Sequence, residues 1–528
     1  MPSMSDKVIA MALTYPNEIA LTQNGTHWTY GELVEDIETA KAKLKALGLN
    51  SQDKVALALP NLKETVVLFY ALNALDITVV MCHPLSSAIN LRDRCRLLKV
   101  DALFILDVLE NRTRKQIREF RVIRVKAIHG FLGWIVGLRS PLMNPDAKDW
   151  DKIQGVKTES SKTINQDAVI LFSSGTSGNQ KAISLSNEAF NALADQMETV
   201  IDPKRGVDSM FCVLPFFHGF GLGIAMHTVL ALGGRCILVP RIKRKTVIQT
   251  LLKEKPTYVA AVPYLLKVLL KDESFIHADL SFIRQVFVGG ETVSLRLIED
   301  FNDVLARQGS KAKVQVGYGC TESVTAVTLM KAEDSLSNGV GTPFVGNEIL
   351  IVNEDGTPSA INEEGEILIT GPTLMNGYWG DPQATADAFR MVSGIRYYVS
   401  QDLGHLDEKG ILHFHHRKDD LIKVKGYLIN PKSILDRLTP IDGITDVRLL
   451  TDDQDRLVVL MMVSNQADHG LLRKKTIQAV NDLDGWCRPQ RFMIVDEFPL
   501  NEMRKTDYGL LKLKLRNQAL RFQSEWFL

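Results

Sequence analysis

The sequence predicts an α/β fold, with a large N-terminal domain of packed strands and helices and a small C-terminal domain. Three observations carry that expectation. Short apolar runs flanked by turn residues alternate with longer helical stretches through most of the chain. A charged interruption falls near residues 416–420, between two strand-like runs. The length of 528 residues exceeds that of one ordinary domain.

The elements follow in chain order. The apolar run 8–13 is too short for a signal-peptide core, and Pro16, Asn17 and Glu18 stand where a small-residue cleavage site would be needed. Residues 54–59 read as a buried strand and 62–75 as a helix. Residues 168–172 form a strand ended abruptly by a Ser/Gly/Thr loop. Further short strands are expected at 211–214, 235–239, 258–262 and 285–288. Residues 365–370 and 411–414 look like hairpin strands, and 421–424 opens a new one beyond the charged interruption. No fixed-period repeat or low-complexity tract is visible.

Composition excludes several classes. Lys+Arg and Asp+Glu both count 62, so the net charge is zero and a dedicated nucleic-acid binder is not expected. Apolar residues make up 45 %, enough to build large cores without disulfides. The 6 cysteines are scattered, with no CxxC pair, which argues against structural zinc and fits a reducing compartment. No segment offers the roughly 20 apolar residues of a membrane span. A cytoplasmic location is the expectation. One stretch is locally basic: Arg112, Arg114, Lys115, Arg118, Arg121, Arg124 and Lys126, followed by the apolar run 127–138. It reads as a solvated helix face followed by a core strand, with weak peripheral membrane contact through 111–138 as the alternative.

The chemistry-bearing motifs are sharper. Ser173-Ser174-Gly175-Thr176-Ser177-Gly178-Asn179-Gln180-Lys181 combines glycines, hydroxyls and a closing lysine, the composition that cradles phosphates. It is not a Walker A loop, because Gln180 precedes the lysine and Ala182 follows it. Alone, it reads equally as an ordinary Ser/Gly turn. Gly317-Tyr318-Gly319-Cys320-Thr321-Glu322 offers an aromatic ring for a base, a hydroxyl, and a carboxylate suited to Mg²⁺ beside phosphates. Asp402 supplies an acid for ribose hydroxyls. Arg417-Lys418-Asp419-Asp420 and Lys425-Gly426 follow, and Phe498-Pro499-Leu500 precedes Lys505. Individually Tyr318 reads as a core aromatic, Asp402 as a turn acid and Lys505 as a solvated charge.

In this order and spacing, from Trp28-Thr29-Tyr30-Gly31-Glu32-Leu33 to Lys505, the motifs resemble the adenylate-forming superfamily. That superfamily comprises acyl- and aryl-CoA synthetases, peptide-synthetase adenylation domains and luciferases. The resemblance implies an N-terminal adenylate-forming domain over 1–416 with ATP and carboxylate sites, a hinge at 417–419, and a small mobile α+β domain over 420–528. It implies that residues 173–181 hold phosphates, that Gly290 and Glu291 lie along the adenine, and that Tyr318 stacks on it. Thr321 would contact the α-phosphate region, Glu322 would bind Mg²⁺, and Asp402 and Arg417 would hold the ribose. Asp419 matches the hinge residue, Lys425 and Gly426 lie where coenzyme A users place their pantetheine tunnel, and Lys505 matches the catalytic lysine. The implied reaction is ATP-dependent activation of a carboxylate to an acyl-adenylate, then transfer to a thiol.

Departures from the family pattern are local. Asn179-Gln180 and Ala182 replace the usual proline before and glycine after the loop lysine. Ser400-Gln401 precedes Asp402 in place of Thr-Gly, and Arg504 replaces glycine before Lys505.

Pro215-Phe216-Phe217-His218-Gly219-Phe220-Gly221 resembles the substrate motif of acyl- and aryl-CoA synthetases. No aspartate between Pro215 and Met226 is available to pair with a substrate ammonium. The pocket candidates, His218, Phe220, Val262, Val288, Gly289 and Gly317, suit a fatty or aryl acid, although His218 also reads as a core histidine. Bulk at Gly289 or Gly317 is expected to shorten the accepted acid. Gly206-Val207-Asp208-Ser209-Met210 mimics a phosphopantetheine site and is read as chance. Three readings stay open: a coenzyme A ligase, a loader of the phosphopantetheine arm of a separate carrier protein, and a non-catalytic nucleotide- or acyl-binding homologue.

Overall fold

The computed structural model describes residues 2–126, 148–156, 167–173, 180–240, 243–336, 338–418, 422–424, 427–429, 431–454, 456–464, 466–481, 483, 487–499 and 506–527. Ser174 to Gly178, Asp419, Lys425, Gly426, Lys505 and the apolar run 127–138 lie outside them.

The chain opens on the helix Met4–Thr14, started by a capping box between Ser3 and Asp6 and anchored through Met4, Val8 and Ala12. The run at 8–13 is therefore half of an amphipathic helix. Thr29 and Glu32 form a second capping box and launch the helix Tyr30–Ala46. Tyr30 is buried beneath it and donates to the carbonyls of Leu230 and Gly234 at 3.0 and 2.8 Å.

Two large sheets and a smaller antiparallel one build the body up to Arg417. In the first, Lys54–Ala58 pairs in parallel with Thr78–Met81 and Ala102–Leu106, and Val169–Phe172 extends it beyond Thr78–Met81. Ala182–Leu185 returns antiparallel to Val169–Phe172, and Gly377–Tyr378 pairs with Ala182–Leu185 in turn. In the second, Ser209–Cys212, Tyr258–Ala261, Gln285–Val288 and Val314–Tyr318 run parallel and adjacent. Their side chains are buried on both faces, which is why they read as continuous apolar runs. In the third, Gly365–Thr370 pairs antiparallel with Glu348–Val352 and Ile395–Leu406.

Most elements match the sequence reading, with two shifts. The strand expected at 211–214 spans Ser209–Cys212. It begins earlier because Ser209 and its neighbour Asp208 are buried polar residues, held by Thr257 and Tyr258. That burial also supports reading 206–210 as a chance mimic. The strand expected at 411–414 runs over Leu412–Arg417, because Arg417 pairs directly opposite Asp402. The charged interruption thus begins inside the sheet, and Lys418 still reaches Glu366 at 2.9 Å.

In the basic stretch, Lys115 and Arg118 are exposed, whereas Arg124 pairs with Asp149 and Lys126 with Asp151 at 2.8 and 2.9 Å. Four of the six cysteines, Cys82, Cys95, Cys212 and Cys236, are buried. Among the described residues no helix is long and apolar enough to cross a membrane.

Beyond residue 421, Ile444–Thr451, Leu457–Val463, Arg491–Val495 and Phe522–Phe527 form a four-stranded sheet. Val424, Ile434, Leu449, Met461 and Phe492 pack together on one side of it. Leu460, Met493, Phe498, Leu511 and Leu515 pack on the other. Both clusters are built from C-terminal residues alone, the arrangement of a unit with its own core.

Candidate active site

The candidate site gathers at the carboxyl ends of parallel strands, where α/β sheets commonly place ligands. Register makes the gathering specific. Ala261 is opposite Val288, and Val288 is opposite Val316, so the next residue of each strand continues the row as Val262, Gly289 and Gly317. Three pocket candidates separated in sequence thus line up on neighbouring strand ends. Val288 itself is buried, half-buried Val262 packs against the same core, and Gly290 turns away with φ +83°, a conformation that favours glycine. Glu291 is exposed beside it.

The glycine row bears on the expected effect of bulk at Gly289 or Gly317. A Cβ on Gly289 would lie 3.1 Å from the Gly317 carbonyl oxygen, and one on Gly317 would lie 3.1 Å from that of Thr328. Bulk at these positions meets backbone first, so it would distort strand ends as well as fill space. The Phe220 ring reaches within 3.8 Å of the same Gly289 position and is the side chain that bears on it.

Phe220 opens a π-helical segment, Phe220–Thr228, of the kind often found at functional sites. His218 is half-buried just before it, its ring centre 4.6 Å from that of Phe217. Gly219 is required by packing: a Cβ there would sit 1.6 Å from the Val324 carbonyl oxygen. Val324 is fully buried with φ +63°, a strained backbone for a β-branched residue. The segment around Gly219 is thereby locked against the turn that carries Thr321 and Glu322.

Tyr318, at the end of Val314–Tyr318, donates its hydroxyl to Asp402 Oδ2 at 2.6 Å. Arg417 Nε donates to Asp402 Oδ1 at 2.8 Å. Asp402 and Arg417 face one another across an antiparallel strand pair, which sets that contact. Desolvation works against the Arg417 charge, but the Asp402 carboxylate outweighs it and raises the guanidinium above its usual range. Burial and the same carboxylate push the Tyr318 phenol up, so it remains a donor. Phe414 stacks beside Tyr318, centroids 5.9 Å apart. The three residues assigned to adenine and ribose therefore form one connected group.

Glu322 is buried, and its Oε1 accepts from the Tyr378 hydroxyl at 3.0 Å. Burial and the Glu322 carboxylate raise the Tyr378 phenol. Thr321 opens the same short turn and is half-buried. The Lys181 Nζ lies 4.2 Å from the centre of the Tyr378 ring. At its base the Ser/Gly loop is closed twice: Ser173 N–H donates to the Lys181 carbonyl, and Lys181 N–H donates to Ser173 Oγ, both at 3.0 Å.

A hard divalent cation fits this donor set. Among the described residues no group of three His, Cys, Asp or Glu could hold a metal, so a cation at Glu322 would need other oxygens, such as those of phosphates.

Sequence reasoning missed Tyr378 and Phe414. Tyr378 reaches the site only because Gly377–Tyr378 pairs with the strand that follows the loop. No spacing signal marks it. Around Lys505 the flanks are tied: Asp507 N–H donates to the Pro499 carbonyl at 2.8 Å, and Arg448 Nε donates to Thr506 Oγ1 at 3.0 Å.

Comparison with known proteins is consistent across sequence and structure. The model of the AMP-binding enzyme family matches residues 10–379. A long-chain-fatty-acid–CoA ligase of Bacillus subtilis (strain 168) is 27 % identical over 459 residues, covering 83 % of this chain and 80 % of that protein. A 2-succinylbenzoate–CoA ligase of Listeria innocua is 27 % identical over 510 residues, covering 95 % and 97 %. The fold matches that of o-succinylbenzoate coenzyme A synthetase from Bacillus subtilis in complex with ATP and a magnesium ion. That match has a TM-score of 0.78, 22 % identity, and coverage of 96 % of this chain and 98 % of the other.

Proposed function

Because the chain belongs to the AMP-binding enzyme family, we propose that it is an AMP-forming acid–thiol ligase that activates an apolar carboxylic acid and passes it to coenzyme A. The observation that carries this reading is the Tyr318–Asp402–Arg417 group, which joins an aromatic platform to a carboxylate held beside a guanidinium. A base and a ribose need those two features together.

In the first half-reaction a carboxylate oxygen attacks the α-phosphorus of ATP, and the bond to pyrophosphate breaks. Two anions approach, so positive charge must offset their repulsion. Lys181 serves the phosphates, Glu322 would hold Mg²⁺, and Lys505 bridges the carboxylate and α-phosphate oxygens. Bound Mg²⁺ would screen the phosphate charge as pyrophosphate leaves. In the second half-reaction the thiol sulfur attacks the activated carbonyl, loses its proton, and displaces AMP. We place Asp419 at the hinge between 1–416 and 420–528, with Lys425 and Gly426 toward the thiol in the second step. The separate C-terminal core supports such a rotation.

Phe220, Val262 and Val288 make an apolar lining, and no acid lies between Pro215 and Met226. A buried ammonium would lack a partner there, whereas each buried methylene gains about 0.8 kcal/mol. The two named relatives are ligases of coenzyme A with a long-chain fatty acid and with 2-succinylbenzoate.

The test is pyrophosphate release with Mg²⁺, ATP and a panel of acetate, octanoate, palmitate, benzoate, cinnamate and the common amino acids. Release with an apolar acid, and thioester formation with free coenzyme A, is the expected result. An amino acid as best substrate would replace this reading with carrier-protein loading. No release with any acid would favour a non-catalytic binder.

A further inference from the structure

The phosphate loop departs from its family at Gln180, which stands where a proline is usual. A proline fixes φ and stiffens the loop stem from within; glutamine does not. The structure holds a substitute in Arg94, on the helix Ala88–Leu98. Its Nη2 donates to Gln180 Oε1, and its Nη1 donates to Ser86 Oγ at 2.9 Å. Its guanidinium carbon lies 4.9 Å from the centre of the Phe172 ring. Phe172 ends the strand that enters the loop, and Gln180 is the last loop residue before Lys181. One planar cation therefore touches both stems. A guanidinium suits this task because it stacks and donates from a rigid fork at once.

We infer that Arg94 is a positioning residue for ATP: through Gln180 and Phe172 it clamps the base of the phosphate loop and performs from outside what a proline performs from within. The inference rests on the reading that this loop binds the ATP phosphates. A stem left free must be ordered by the nucleotide itself, which weakens binding of ATP and leaves the carboxylate pocket untouched.

The full-length protein and its Arg94→Ala, Gln180→Ala and double variants are titrated with Mg-ATP by calorimetry. Amide hydrogen exchange at Ser173 and Lys181 is measured without nucleotide. Each single variant should bind ATP about five- to tenfold more weakly, the size expected when the nucleotide must order about one more backbone residue. The double variant should be no worse than either single one, because the two residues act through each other. Exchange at Ser173 and Lys181 should quicken in all three, while the KM for the carboxylate holds. Gln180→Pro in the Arg94→Ala background should restore ATP affinity. Additive losses, unchanged exchange, or ATP affinity within about twofold of the parent would overturn the clamp. A parent protein that binds no ATP would overturn the phosphate-loop assignment itself, and the nucleotide-free exchange would still decide whether Arg94 holds the stems.

Discussion

The Tyr378 hydroxyl donates to Glu322 Oε1 across 3.0 Å, while the ring of the same tyrosine lies 4.2 Å from the Lys181 ammonium. One side chain thus touches the proposed metal carboxylate and the proposed phosphate lysine. Tyr378→Phe keeps the ring beneath Lys181 and removes only the hydrogen bond. It should raise the Mg²⁺ concentration for half-maximal pyrophosphate release by about tenfold, with thermal stability nearly unchanged. Tyr378→Leu should in addition weaken ATP binding. Equal Mg²⁺ titrations for parent and Phe variant would show that the hydroxyl does not orient Glu322.

Asp402 holds both Tyr318 and Arg417, so its charge is shared between the base and ribose assignments. Asp402→Asn should weaken ATP binding by about tenfold or more, the scale of a lost charge-assisted contact. The parent should also discriminate against ATP analogues lacking a ribose hydroxyl, and the Asn variant should not. If the variant still prefers the full ribose to the same degree, Asp402 does not contact it.

Lys505→Ala should slow adenylate formation by about two orders of magnitude or more, as removal of a transition-state charge partner does. Thioester formation from a pre-made acyl-adenylate should be far less affected, since that step needs no charge at the α-phosphate. The two half-reactions are followed separately by pyrophosphate and thioester assays. Equal loss in both would make Lys505 structural.

Chain-length selection should respond to Phe220 and not cleanly to the glycine row. Phe220→Ala should shift the best fatty acid to a longer chain, with kcat/KM rising about fourfold for each extra methylene that finds space. Gly317→Val should lower Tm and activity together, because its Cβ would meet the Thr328 carbonyl oxygen at 3.1 Å. A Gly317→Val enzyme that is stable and merely selects shorter acids would reverse this assignment.

His227 should make the fold acid-sensitive. It is fully buried: Nδ1 accepts from the Tyr70 hydroxyl at 3.2 Å, and Nε2 donates to Asn191 Oδ1 at 3.0 Å. Burial, aided by the Lys7 charge, pushes its pKa from 6.5 down to about 3. Between those values the unfolded chain carries a proton that the native one lacks. Stability from this group is therefore full above pH 6.5 and declines as the pH falls, by up to about 1.4 kcal/mol per unit. Urea unfolding from pH 7.5 to 5 should show that slope, and His227→Gln should flatten it. An unchanged slope would assign the loss to other groups.

Much of this protein was legible in short windows of sequence. Gln285–Val288 and Gly365–Thr370 have the expected bounds, because the buried apolar cores Val286–Val288 and Ile367–Ile369 mark them out in the sequence. Motif order alone points to Tyr318, Asp402 and Arg417, and the fold joins them although Tyr318 and Asp402 are 84 residues apart. The ends of charged strands were less legible: Arg417 reads as a stop until its partner across the hairpin is known.

Linear order holds the inventory: which residue types are present, in which order, and which segments must be buried. Apolar period and turn chemistry are local properties, and local properties survive being read along a line. Which residues meet is settled by the folded chain. Tyr378 reaches Glu322 because Gly377–Tyr378 pairs onto the strand that follows the Ser/Gly loop. Arg94 meets Gln180 from a helix 86 residues away. Val324 takes a strained backbone so that its carbonyl can sit where Gly219 has no side chain. Each of these depends on strand order and register, which long-range packing sets and which no window of neighbouring residues contains.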